Sequence, residues 1–187
     1  SEQYDKVITE CCDIFLKKTK DYGTASWEIL RMVSVVDQIY IKAHRIRTIQ
    51  EKKEQKVGDQ IHVEFKGIVN YAVIALIKLG LETNPDGDLA GNICSHYYRC
   101  ICLAKDLMAN KNHDYGEAWR DMCQESLTDL ILAKLLRVIR ILRNNGVTVA
   151  SEGIDANFYD ILNYAVFALI LIAEGRHAAG VKEGTSA

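Results

Sequence analysis

Apolar residues recur at three- and four-residue spacing through most of the chain. In residues 2 to 19, Tyr4, Val7, Ile8, Cys11, Cys12, Phe15 and Leu16 form one stripe, the pattern of a helix that buries a single face. A second helical pattern runs from Val33 to about Lys53, and the charged stretch 51–59 then loses its apolar positions and reads as a mobile connection. From Ile61 to Leu79 nearly every side of the predicted helix is apolar, which suits the middle of a bundle. Residues 81–93, LETNPDGDLAGNI, hold the only proline and read as a linker. The plan then repeats: a helix over 95–111, a turn at His113 to Gly116, a short turn at Trp119, and helices over 126–144 and 155–174. Ser126 or Thr128 is the expected cap of the first of these two, Asp155 reads as the N-cap of the second only if it is no metal ligand, and Gly146 stands where a C-terminal glycine is expected. The apolar run Ile161 to Ala173 is broken by Asn163 and is short for a bilayer, so it reads as a core helix. The tail 176–187 has no apolar period and is expected to be flexible.

The recurrence extends to residue identities. Lys18 to Trp27 reads KTKDYGTASW and Lys111 to Trp119 reads KNHDYGEAW. An offset of 93 sets Tyr4 on Tyr97 and Phe65 to Ile77 on Phe158 to Ile170, and an offset of 92 between them sets Lys42 on Lys134 and Arg45 on Arg137. This is a tandem duplication. Each half is about 90 residues long, close to the lower limit for an independent core. The expected architecture is therefore all-α, a tandem-duplicated helical bundle with pseudo-two-fold symmetry: a first repeat over 1–80, the linker, a second repeat over 94–175, and one shared core.

Composition narrows the partners. A net charge of −2 provides no field to gather nucleic acid or an anionic membrane, so neither is an expected partner. The six cysteines include no C-x-x-C pair and the first residues are polar, which points to reduced thiols, no signal peptide and a cytoplasmic protein. No P-loop, dinucleotide fingerprint, zincin or nucleophile-elbow motif occurs. The oligomeric state is open, a homo-oligomer included.

Candidate chemistry lies in the second half. Lys134 and Arg137 are three apart on one helix, an arrangement suited to phosphate oxygens; Lys42 and Arg45 repeat it. The plain alternative is a solvated face paired with Asp129 or Asp37. Glu152, Asp155 and Asp160 form an acidic set near Asn163 and are candidate ligands for Mg²⁺ beside a substrate phosphate. Asn163 is equally well read as a buried hydrogen bond that fixes register, with Asn70 as its counterpart. His113, Asp114 and Tyr115 at the expected turn are candidate contacts to a base or sugar, against the reading that they cap and pack. Trp27 and Trp119 read as core anchors. Glu152, Asp155 and Asp160 correspond to Asp59, His62 and Gly67, so the working site is expected in the second half, with the first supporting it.

The order K-N-H-D-Y-G-x-x-W, K-x-x-R, then E-x-x-D-x4-D-x-x-N-Y-A (Glu152, Asp155, Asp160, Asn163, Tyr164, Ala165) resembles the nucleotide modification associated domain of the first type, a family of phages and bacteria. The first half carries DYG, K-x-x-R and NYA but has Gly67 at the acid position. The resemblance implies a role in modified-nucleotide metabolism. More loosely, the chain is similar to the all-α, MazG-like nucleoside triphosphate pyrophosphohydrolases, which implies Mg²⁺-dependent hydrolysis at a phosphate. In that role Glu152, Asp155 and Asp160 hold the metal, Lys134 and Arg137 the phosphates, and Asn163 and Tyr115 the rest of a nucleotide held between the halves. The chain lacks the paired E-x-x-E of that group. The alternative expectation is a non-catalytic helical module for interaction or ligand sensing.

Overall fold

A computed structural model describes residues 1–54, 60–145 and 153–176. Seven α-helices and one 3₁₀ turn make up the described residues, which contain no strand. The helices are α1 (Glu2–Tyr22), α2 (Ala25–Glu28), α3 (Met32–Lys52), α4 (Ile61–Thr83), α5 (Leu89–Tyr115), α6 (Gln124–Arg143) and α7 (Ile154–Ala173), and the 3₁₀ turn spans Ala118–Asp121. The order α1 to α4 is matched by α5, the 3₁₀ turn, α6 and α7.

The contacts arrange the long helices in three layers of two. The α4/α7 pair lies in the middle, with α3 and α6 packed on one side and α1 and α5 on the other. This layering explains the sequence pattern. The outer helices need only one apolar stripe, while α4 and α7 are covered on two sides and are apolar almost all round. One hydrophobic cluster runs through both repeats, from Tyr4 and Phe65 to Ile131 and Phe158. By length and hydropathy α7 alone among the described helices could cross a membrane, yet most of it is buried in this middle layer.

The register of the layers is set by a reciprocal pair of hydrogen bonds. Tyr4 Oη donates to Asn163 Oδ1 at 2.8 Å, and Tyr97 Oη donates to Asn70 Oδ1 at 2.9 Å. The amide nitrogens complete the motif: Asn163 Nδ2 donates to the Ala104 carbonyl and Asn70 Nδ2 to the Cys11 carbonyl, both at 3.0 Å. Each asparagine thus ties its own repeat's first helix to the other repeat's tyrosine. Burial pushes both phenols well above the ordinary tyrosine range, so they remain neutral donors. Of the two readings of Asn163, the interhelical bond describes both of its polar atoms.

Several expected boundaries move. Helices α4 and α5 take over both ends of the 81–93 segment, and the connection shrinks to 84–88; Asp88 caps α5 by accepting from the Gly91 amide at 3.2 Å. Ser126 and Thr128 lie inside α6, whose N-cap is Cys123, and its C-cap is Asn144. Gly153, and not Asp155, occupies the N-cap of α7. His113 to Tyr115 are still helical, and the chain turns at Gly116. Gly23 and Gly116 take φ of 69° and 62°, left-handed values that a side chain disfavours. These two residues end α1 and α5 in the same way. Gly146, most of the 51–59 connection and the tail beyond residue 176 lie outside the described residues.

Candidate functional site

Each repeat forms a corner where the end of its first helix, the tryptophan turn, and its last two helices meet. Residues that line the two corners correspond: Lys18 with Lys111, Tyr22 with Tyr115, Trp27 with Trp119, Gly67 with Asp160, Asn70 with Asn163, Tyr71 with Tyr164, and Ile74 with Phe167. The corners differ in what fills them.

In the second repeat the corner is nearly closed. Asp160 is mostly buried and makes two short ion pairs, Oδ1 to Lys111 Nζ at 2.6 Å and Oδ2 to Lys134 Nζ at 2.7 Å. Burial alone raises its pKa, but the hydrogen bonds and charges of the two lysines outweigh it and hold the carboxyl below the usual aspartate range. Phe167 stacks flat on Trp119, with ring centroids 4.2 Å apart and planes 5° from parallel, and Arg120 covers the indole at 4.5 Å. About 140 Å³ remains.

In the first repeat the corresponding corner is an open cavity of about 380 Å³. The residues responsible can be named. Gly67 replaces the buried carboxylate and Ile74 replaces the stacked phenyl ring. Lys42 lies directly over Gly67, so that a Cβ built there would sit 2.8 Å from its Cε. The walls include Phe15, Trp27, Tyr71 and Ile74, and the charged lining among the described residues is Lys18, Lys42 and Lys66 against the carboxylate of Glu64. Lys66 also pairs with Glu10 at 2.8 Å. Lys18 has no ion-pair partner among the described residues, whereas its counterpart Lys111 is bound to Asp160. Trp27 is buried, and its indole N–H has no hydrogen-bond partner among the described residues. A cavity of this volume falls within the range of about 300–1,000 Å³ typical of small-molecule sites.

Glu64 and its counterpart Asn157 were missed by the sequence reading. Glu64 accepts from Arg45 at 2.8 Å and from Lys42 at 3.3 Å, so the partner of the first K-x-x-R pair is neither Asp37 nor Asp129. In the second repeat Asn157 replaces that carboxylate, and the acid stands one turn on, at Asp160. Residues three apart share a helix face, so each corner keeps one carboxylate at its third-helix lysine, Lys42 or Lys134, by a different route. The signal was present as a paired exchange, Glu64 with Gly67 against Asn157 with Asp160.

The other sequence candidates separate. Asp155 is exposed near the start of α7, five residues from Asp160 and therefore about 140° away around the helix. Glu152 lies outside the described residues. Arg137 is exposed. His113 and Asp114 are exposed and pair with each other at 3.0 Å; Tyr115 is 77% exposed beside the closed corner. No group of three His, Cys, Asp or Glu side chains able to hold a metal occurs among the described residues. Both oxygens of Asp160 face ammonium groups. That donor set does not fit Mg²⁺, which takes oxygen ligands at about 2.0–2.1 Å.

A further cleft of about 430 Å³ lies under the α4–α5 connection, bordered by His96, Arg99 and Tyr159, with His96 paired to Asp86 at 2.8 Å.

The profile of the family described as Nucleotide modification associated domain 1 matches the chain twice, over residues 18–79 and 111–172. The chain therefore belongs to that family and carries its domain in tandem. Lys18, Trp27, Lys42, Glu64, Gly67 and Tyr71, which shape the open cavity, all fall inside the first match, whereas the cleft under the connection falls mostly between the two. The matches do not extend to the all-α pyrophosphohydrolases. No curated protein and no solved structure matches the chain.

Proposed function

We propose that this protein binds a nucleotide in the cavity of the first repeat, as a binding protein in modified-nucleotide metabolism. The observation that carries this reading is the pairing, in one cavity of about 380 Å³, of three lysines against one glutamate with a wall of aromatic rings. Amines favour a phosphate, and Trp27, Tyr71 and Phe15 offer apolar surface to a base or sugar. Membership of a family named for nucleotide modification supports the same class of ligand. The second repeat, with its corner closed, serves as the structural partner that holds α4 in place through α7. This reverses the roles expected from the acidic residues alone. The sequence pattern assigns Mg²⁺-dependent hydrolysis to Glu152, Asp155 and Asp160; in the structure both Asp160 oxygens are taken by lysines.

Calorimetry against nucleosides and their 5′ mono-, di- and triphosphates tests the proposal. Binding is expected for phosphorylated members and not for free nucleosides, with about one ligand per chain. Replacing Lys18 and Lys42 by Gln should weaken binding at least about tenfold, or about 1.4 kcal/mol. Unchanged affinity in that variant, or no binding by any nucleotide, would overturn it.

A further inference from the structure

We infer that Asp160 is a built-in counterpart of the ligand's phosphate: its carboxylate occupies in the second repeat the place that a phosphate monoester takes above Gly67 in the first. This deepens the nucleotide reading and rests on it for the identity of the ligand, but the anion subsite can be tested without any nucleotide.

The argument is one of superposed chemistry. In the second repeat, one ammonium from the end of the first helix and one from the third helix converge on a single mostly buried anion, at 2.6 and 2.7 Å. The first repeat keeps both cations, Lys18 and Lys42, and deletes the anion by placing glycine at position 67. Two ammonium groups brought to one corner of low polarity repel each other unless an anion lies between them. Glu64 answers only part of this demand. Its stronger contact is to Arg45, its contact to Lys42 is longer at 3.3 Å, and Lys18 is left without an ion pair among the described residues. The missing aspartate side chain has about the bulk of a phosphate group, and Lys42 crosses the vacancy with its Cε 2.8 Å from where a Cβ would stand. An amine at the end of a flexible chain can move to meet an incoming oxygen, which is the contact Lys134 already makes with Asp160.

Two consequences follow. Gly67 is the residue that admits the phosphate, and Asp160 is the residue that keeps the second corner shut. Exchange of the two should therefore move the site. Gly67→Asp supplies the first corner with its own anion, and Asp160→Gly removes the anion that Lys111 and Lys134 share.

The experiment uses the full chain and inorganic phosphate as the probe, read by the protein-induced broadening of its phosphorus-31 resonance at constant ionic strength. The wild-type protein is expected to broaden the line, Gly67→Asp to reduce the broadening to that of an inert protein, and Asp160→Gly to increase it about twofold, as two corners become available. Lys18→Gln provides a second reading should Asp160→Gly fail to fold, and is expected to lose most of the broadening. Circular dichroism verifies that each variant is folded. No broadening by the wild type, full broadening by folded Gly67→Asp, or no gain in folded Asp160→Gly would each overturn the inference. Phosphate broadening with the expected variant pattern, but no calorimetric binding of any nucleotide, sinks the nucleotide reading and leaves the subsite standing. Nucleotide binding that survives in Gly67→Asp does the reverse.

Discussion

Replacing Asp160 by Asn removes one negative charge from between two positive ones, and the structure sets the size of the loss. Asp160 is 11% exposed in its side chain, Lys134 16% and Lys111 56%. A hydrogen bond to a charged group contributes about 1.5–3 kcal/mol when shielded from water, which describes the Lys134 contact. The half-exposed Lys111 can swing into solvent, so its share falls to the surface value of about 0.2–1 kcal/mol. The amide of Asn retains one oxygen acceptor and offsets part of the loss. The net expectation is a destabilisation of about 2 kcal/mol at pH 7, which at an m-value of about 2 kcal/mol/M lowers the urea midpoint by about 1 M. Urea unfolding followed by circular dichroism measures it. A double-mutant cycle with Lys134→Met should show a coupling above about 1 kcal/mol, and the equivalent cycle with Lys111→Met clearly less. A midpoint shift below about 0.2 M for Asp160→Asn, a fifth of the expected shift, would refute the claim that this carboxylate closes the corner.

Further expectations follow from the same contacts. The folded-state pKa of Asp160 lies below its unfolded value near 3.8, so its contribution to stability is full above that value and is lost as pH falls through the lower folded one. The gap in urea midpoint between wild type and Asp160→Asn should accordingly hold from pH 7 to about 5 and narrow below about pH 4. Tyr4→Phe leaves the buried Asn163 oxygen without its donor and should cost about 1–3 kcal/mol, measured by thermal unfolding, with nucleotide affinity unchanged because the open cavity lies in the other corner. Glu64→Gln removes the carboxylate that lines that cavity among the described residues and frees Lys42. Nucleotide affinity by calorimetry should rise about fivefold, or about 1 kcal/mol, despite lower stability from the weakened contact to Arg45.

Much of the fold was legible because it rests on local pattern. The stripe from Tyr4 to Phe15, the all-round apolar α4 and α7, and the echo of Lys18–Trp27 in Lys111–Trp119 each follow from helical period or from direct comparison of the halves. The matching roles of Asn70 and Asn163 as buried hydrogen-bonding amides were also readable, since an amide in an apolar run needs partners. The ends of the linker were not: Leu81 to Thr83 and Leu89 to Ile93 are polar or small in part, yet the caps at Asn84 and Asp88 let both helices run on. The site was read by counting acids, and the acids pointed to the second repeat. In three dimensions the decisive fact is an absence, Gly67 and Ile74 where Asp160 and Phe167 fill the other corner. A cavity made by missing side chains has no motif of its own. Lys111 was quoted within the repeated motif without its partner, because forty-nine residues separate it from Asp160 and only packing of α5 on α7 brings them together.

The location of the ligand is tested most directly by the two tryptophans, one in each corner. With Trp119 replaced by Phe, the remaining Trp27 borders the open cavity; with Trp27 replaced by Phe, the remaining Trp119 lies stacked in the closed one. Titration with the nucleoside phosphate that binds best by calorimetry should change Trp27 emission saturably, with a midpoint equal to the calorimetric one, and leave Trp119 emission flat. A saturable response from Trp119 with none from Trp27 would place the ligand in the second repeat and contradict the account.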